Sequence, residues 1–143
     1  MKVPFPTNIE IQQDLGHTLI IKRTDGIIEV RCAHLVNYTV KQVKENHVWI
    51  EKYADGKKAL VLTVAGISTH VKPAARNYVG KGPHKHFVAA EAFLFNSFAQ
   101  RMLANLYMSV NRPKVPANFF SFKEKKEAEK WLREQILPNT NQY

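Results

Sequence analysis

Apolar and polar positions alternate along this chain in two periods, and the longest uncharged apolar run, Ala59–Ile67, opens as a strand. Its first seven residues, Ala59–Ala65, are rich in branched side chains, as in a strand buried on both faces of a helix-covered sheet. Gly66 ends the strand. Ile67-Ser68-Thr69-His70 leads out of it toward a helix opened by Pro73, predicted over Ala74–Val79. Upstream, Thr18–Arg23 and Ile27–Cys32 flank Thr24-Asp25-Gly26, which predicts a β-hairpin. Ile28, Val30 and Cys32 share one face of it; Glu29 and Arg31 share the other. Val40, Val43, His47, Ile50 and Ala54 recur at helical spacing, with Asn37 or Thr39 as cap and Asp55-Gly56 as the stop.

Gly80-Lys81-Gly82-Pro83 breaks the chain before a second buried strand, Phe87–Phe95. Ser97 caps a helix in which Phe98, Met102, Leu103, Leu106 and Val110 form a wide apolar face. A short strand, Asn118–Phe120, precedes a capping box of Ser121 and Glu124 and a final helix packed by Ala128, Trp131 and Leu132. A short edge strand at Asn8–Gln12 interrupts an otherwise irregular segment 1–17. The domain is expected over 18–137 and a frayed tail over 138–143. Hairpin, helix, then strands alternating with helices gives an α/β fold with a mixed, mostly parallel sheet of about five strands and about four helices. Leu60, Leu62, Val64, Ala92, Leu94, Met102, Leu106 and Trp131 are expected in one core.

The 143 residues suit one domain with a proper core. The single cysteine, Cys32, allows no internal disulfide and fits a reducing cytoplasm. It reads as a small core residue rather than a nucleophile. No apolar run is long enough to cross a bilayer, so no membrane insertion is expected, and the N-terminus lacks the apolar stretch of a signal peptide. The net charge of +9 has an address. Residues 1–55 balance seven basic against seven acidic side chains and residues 124–143 four against four, whereas 56–123 sets ten basic residues against Glu91 alone. Three loops at the amino ends of the parallel strands gather most of that excess: Lys57 and Lys58; Lys81, His84, Lys85 and His86; Arg112 and Lys114. One reading is a solvated end that aids solubility. The other is a docking surface for an acidic protein, a phosphate-bearing ligand or nucleic acid, strengthened as the two histidines protonate.

Catalytic chemistry is hard to find. Gly80-Lys81-Gly82-Pro83 lacks the first glycine and the Ser/Thr of a phosphate loop, and no dinucleotide fingerprint follows a strand, so no cofactor is expected. His84 and His86 alternate and point the same way in extended chain, but no third ligand stands nearby and no metal is expected. His47 reads as a boundary histidine packed by its ring. Ser68, Thr69 and His70 are adjacent, which does not make a triad; Ser68 and Thr69 read first as turn-stabilising residues. The phenylalanines fall at core spacings rather than interleaving with basic residues as a base-stacking platform would.

The chain resembles the STAS superfamily, the sulfate-transporter and anti-sigma-factor-antagonist domain, and within it small stand-alone bacterial proteins of unassigned function. The residues that support this are Ala90–Phe95, Ser97 to Arg101, Asn105-Leu106-Tyr107, Asn111-Arg112-Pro113 to Pro116, Phe119-Phe120-Ser121, and Ala128 to Leu132; element order extends it over 18–136. The resemblance implies a regulatory module with a protein partner, engaged around the loop after the central strand. Regulators of that type carry an Asp-Ser phosphoacceptor there. Here the stretch is Ser68-Thr69-His70-Val71-Lys72-Pro73, and the acceptor position falls near Lys72. The usual switch is not expected, while a displaced acceptor at Ser68 or Thr69 stays open. The leading expectation is therefore a non-catalytic binding module, not an enzyme, with homodimerisation open. A nucleic-acid binder through the basic end and a small-molecule or lipid carrier with a pocket under the 97–110 helix stand as alternatives.

Overall fold

The hairpin forms where the Asp-Gly turn places it. Strands β2 (Thr18–Arg23) and β3 (Ile28–Cys32) pair antiparallel, with Ile20 opposite Val30 and Ile21 opposite Glu29. The Asp25 carboxylate accepts the Ile27 N–H at 3.1 Å and closes the turn. The computed structural model describes residues 8–102, 104 and 113–136. Expectations for Leu103, Leu106, Val110, Arg112 and the 138–143 tail lie outside the described residues.

Six strands form the main sheet in the order β1-β2-β3-β5-β7-β8. β1 is Ile9–Asp14, β5 Ala59–Val64, β7 Val88–Phe95 and β8 Ala117–Ser121. The junctions of β3, β5, β7 and β8 are all parallel. The edge strand expected at Asn8–Gln12 is β1, the sixth strand of the sheet: its predominantly polar IEIQQD stretch pairs with β2 and is exposed. Two further short strands, β4 (Asn37–Tyr38) and β6 (His70–Val71), pair parallel beside it.

Helix α1 (Val40–Ala54) opens on Thr39, not Asn37, which lies in β4. Thr39 Oγ1 accepts the Gln42 N–H at 3.3 Å, and the Gln42 side chain accepts the Thr39 N–H at 3.0 Å. Thr39→Ala is expected to lose about 1 kcal/mol in urea denaturation, because it removes one half of this reciprocal cap. Helix α2 is Pro73–Gly80. A third helix, α3, opens at residue 98, and residues 98–102 are helical. The Ser121–Glu124 box opens a 3-10 turn, Phe122–Glu124, that runs into α4 (Lys125–Glu134).

The expected single core is two layers. On one face Ile20, Ile28, Val30, Val61 and Val88 pack under Ile50, Tyr53 and Ala54 of α1. On the other, Leu62, Val64, Ala90, Ala92 and Leu94 pack under Ala128 and Leu132 of α4, with Leu60 and Trp131 half-buried at its margin. Burial on both faces explains why Ala59–Val64 bears no charge. Met102 is a correction: it is exposed, as is Phe98. Among the described residues no helix is long and apolar enough to cross a membrane.

Candidate functional site

At the carboxyl end of β5 the chain must turn within a crowded space. A Cβ on Gly66 would collide with the Ala33 carbonyl and the Thr69 hydroxyl, so only glycine fits. The Thr69 hydroxyl donates to that same Ala33 carbonyl. The Ile67 N–H donates to His34 Nδ1 at 2.8 Å, and the Leu35 N–H to the Ile67 carbonyl at 2.9 Å. The loop is thus bonded to the segment that follows β3, and the β4–β6 pair continues that bonding. Ser68 takes a left-handed conformation, φ 53°, at the exposed tip.

Beside it lies an open cleft of about 470 Å³ lined by Ile67, Ser68, His70, Asn96, Ser97 and Gln100. Ser97 caps α3 by accepting the Gln100 N–H at 3.3 Å, and the Gln100 amide donates to the Thr69 carbonyl at 3.3 Å. The cleft therefore joins the ends of β5 and β7. Apolar side chains that water reaches lie on the segments that bound it: Ile67 at 57% exposure on the cleft wall, Leu35 at 80% in the segment bonded to the loop, and Phe98 at 77% and Met102 at 55% on α3. Of the expected switch-loop residues, Ser68 and His70 line this cleft, Thr69 spends its hydroxyl on the loop, and Lys72 precedes α2 with its N–H bonded to the Tyr38 carbonyl. No His, Asp or Glu among the described residues bonds the Ser68 hydroxyl, so geometry brings no base to it.

A second polar group is hidden in the α1-covered layer. Glu91, central in β7, accepts the Thr63 hydroxyl at 2.7 Å, and its other oxygen lies 4.0 Å from His84 Nε2. His84 stacks on His47 of α1 at 5.3 Å between ring centroids, and His47 also packs against Tyr78 and Phe87. Burial pushes the Glu91 carboxyl up to about 7, against the pull of the Thr63 bond. Burial lowers both histidines, His47 to about 4 with the charge of His84 as a further cause. Burial thus disfavours the charged form of all three groups. No group of three His, Cys, Asp or Glu among the described residues is placed to hold a metal.

This corrects the assignment of His84 to the basic end. Pro83–His86 is a 3-10 turn, not extended chain, so His84 and His86 do not alternate: His84 turns inward and is buried, while His86 stays exposed. The remaining described members, Lys57, Lys58, Lys81, Lys85 and Lys114, are exposed at the amino ends of β5, β7 and β8; Arg112 lies outside the described residues. The sequence offered one signal for the buried cluster: Glu91 is the lone acid of 56–123 and sits inside an apolar strand.

The model of a domain of unknown function, DUF7793, matches residues 20–136. No curated protein matches the sequence. Among solved structures the chain is similar to an uncharacterized protein of the DUF3478 family with a SpoIIAA-like fold from Shewanella loihica PV-4. That similarity has 12% identity, covers 92% of this chain and 99% of the other, and has a TM-score of 0.48.

Proposed function

The chain belongs to the DUF7793 family, a domain of unknown function, and from its own surface we propose that it is a non-catalytic binding module that docks a protein partner on the carboxyl-end cleft. The observation that carries this is an exposed Ile67 on a cleft whose other walls are polar, with Leu35, Phe98 and Met102 exposed on the chain segments that bound it. Exposed apolar side chains gathered on neighbouring segments mark interaction sites. An exposed isoleucine among Asn96, Gln100 and His70 has the make-up of an anchor and its polar rim. The STAS resemblance implies a partner at this same loop. The Asp-Ser acceptor of those regulators is absent: of the two hydroxyls near the tip, Thr69 bonds Ala33, and Ser68 has no bonded partner among the described residues.

Ile67→Ser with Phe98→Ser tests the reading. Both side chains are exposed, so stability should move by no more than about 0.5 kcal/mol. Capture from native lysate should lose those proteins that the unaltered chain retains. A captured set unchanged by the double variant sinks the assignment of this face.

A further inference from the structure

We propose that the opposite end of the sheet is a second binding surface, which grips the phosphate backbone of a nucleic-acid duplex without reading its sequence. The parallel strands fix this end. Lys57 and Lys58 precede β5, Lys81, Lys85 and His86 precede β7, and Lys114 precedes β8, which are three adjacent strands. Strands lie about 4.8 Å apart, so the three loops span roughly 10 Å, a spacing that meets several phosphates of a duplex at once.

Two contacts show that the loops meet. A Cβ on Gly82 would strike the Lys114 side chain, so Lys114 lies directly on the 81–86 segment. The Ala59 N–H bonds the Phe87 carbonyl at 2.9 Å and ties the Lys57–Lys58 loop to the end of the same segment. Among the described residues none of these five lysines is in an ion pair. Of the nearby acids, Asp25 is engaged by Arg23 and Arg133, while Asp55, at the α1 cap, lines the same cleft as Lys57 and Lys58 and is in no ion pair among the described residues.

The composition of this end decides between polyanions. Among their described residues the three loops present no exposed large apolar side chain; Val115 and Phe87 are buried. A protein partner needs an apolar core at the contact; beside Lys57 and Lys58 the described residues offer one exposed large apolar side chain, Ile136, against several at the other end. A single strand needs exposed aromatics to stack its bases, and the described residues of these loops offer none. Lysines, compact charges on flexible stems, suit phosphate contacts that carry no sequence information.

The probe is a labelled mixed-sequence DNA duplex of about 20 base pairs, followed by fluorescence anisotropy from low to moderate salt. Binding is expected at low salt, with the logarithm of affinity falling linearly against the logarithm of salt. Lys81→Gln, Lys85→Gln and Lys114→Gln together should weaken binding about tenfold or more and flatten that slope by roughly 2–3. Lys57→Gln with Lys58→Gln, in a separate loop, should flatten it by roughly 2. Ile67→Ser with Phe98→Ser, at the far end, should leave it unchanged, which keeps this result separate from the protein-docking reading. Absence of binding at low salt overturns the proposal. So does an unaltered slope in both lysine variants, or displacement of the duplex by poly-glutamate at equal charge.

Discussion

Glu29→Ala is expected to cost about 3–5 kcal/mol in urea denaturation, because it strands a charge in a closed layer. Glu29 is fully buried on β3, opposite Ile21 and beside Leu62. One of its oxygens accepts from Arg23 Nη1 at 3.1 Å, and the other from Arg31 Nε at 2.8 Å. Arg31 is only 3% exposed. Arg23 in turn bonds Glu129 of α4 and Asp25 of the turn, so the network ties the hairpin to the last helix. Burial works against the Arg23 charge, yet the bonds to Glu129 and Asp25 outweigh it and raise its affinity for the proton. With the Glu29 carboxylate removed, Arg31 stays desolvated between Leu19 and Val64 and loses the two contacts it makes to that carboxylate. Replacing both partners, Glu29→Leu with Arg31→Met, should recover most of the loss, since an apolar pair of similar volume needs no solvation. A single-variant loss below about 1 kcal/mol would show that Arg31 is satisfied without Glu29.

The hairpin, the central strand, the caps at Thr39 and Ser97 and the position of the Gly66 loop were all legible in the sequence, because each rests on a local signal. Period-two alternation, a charge-free run, an Asp-Gly pair and a Ser/Thr ahead of a helical stripe are each decided within a few residues. What was not legible depends on distant partners. Glu29 and Arg31 alternate with Ile28, Val30 and Cys32 as a solvent-facing set would. Both faces of β3 are covered, however, and the carboxylate that completes the network, Glu129, lies 106 residues from Arg23. The packing of His47 has no local signal; His84 reaches it only because Pro83–His86 coils into a 3-10 turn. Met102 sits on an apolar helical stripe, and periodicity tells that such a stripe exists, not what covers it. β1 was faint because an edge strand exposed on both sides has little reason to alternate. At the candidate site, the loop could be placed from strand order alone. The exposed Leu35 and Phe98 could not, because a leucine and a phenylalanine in sequence look the same inside or out.

Glu91→Gln is expected to stabilise the protein at pH 8 and to leave it nearly unchanged near pH 4.5. The sign follows from the direction of the shift. The folded carboxyl holds its proton up to about 7, against an ordinary 4.5. A raised carboxyl contributes stability in full below 4.5 and loses it as pH rises through 7, where folding must bury a charge. At about 1.4 kcal/mol per tenfold change in proton affinity, the upper bound is about 3 kcal/mol. About a fifth of the Glu91 side chain remains in water, so a gain of about 1–3 kcal/mol is expected. Glutamine keeps an oxygen for the Thr63 hydroxyl and carries no charge at any pH. The histidines act in the opposite sense. His47 falls from 6.5 to about 4, so its contribution is present above 6.5 and lost as pH falls toward 4. His84 is lowered in the same direction by burial, and the nearby Cys32 thiol, pushed up to about 11, stays neutral throughout. Between pH 4.5 and 6.5 the two effects oppose, and the unaltered protein should show a shallow stability profile there. The informative quantity is the difference in unfolding free energy between Glu91→Gln and the unaltered chain at each pH. It should be near zero at pH 4.5, rise through neutrality and level off above pH 8. A difference that is flat, or largest in acid, would mean that Glu91 is ionised in the folded protein at every pH and paired with a protonated His84.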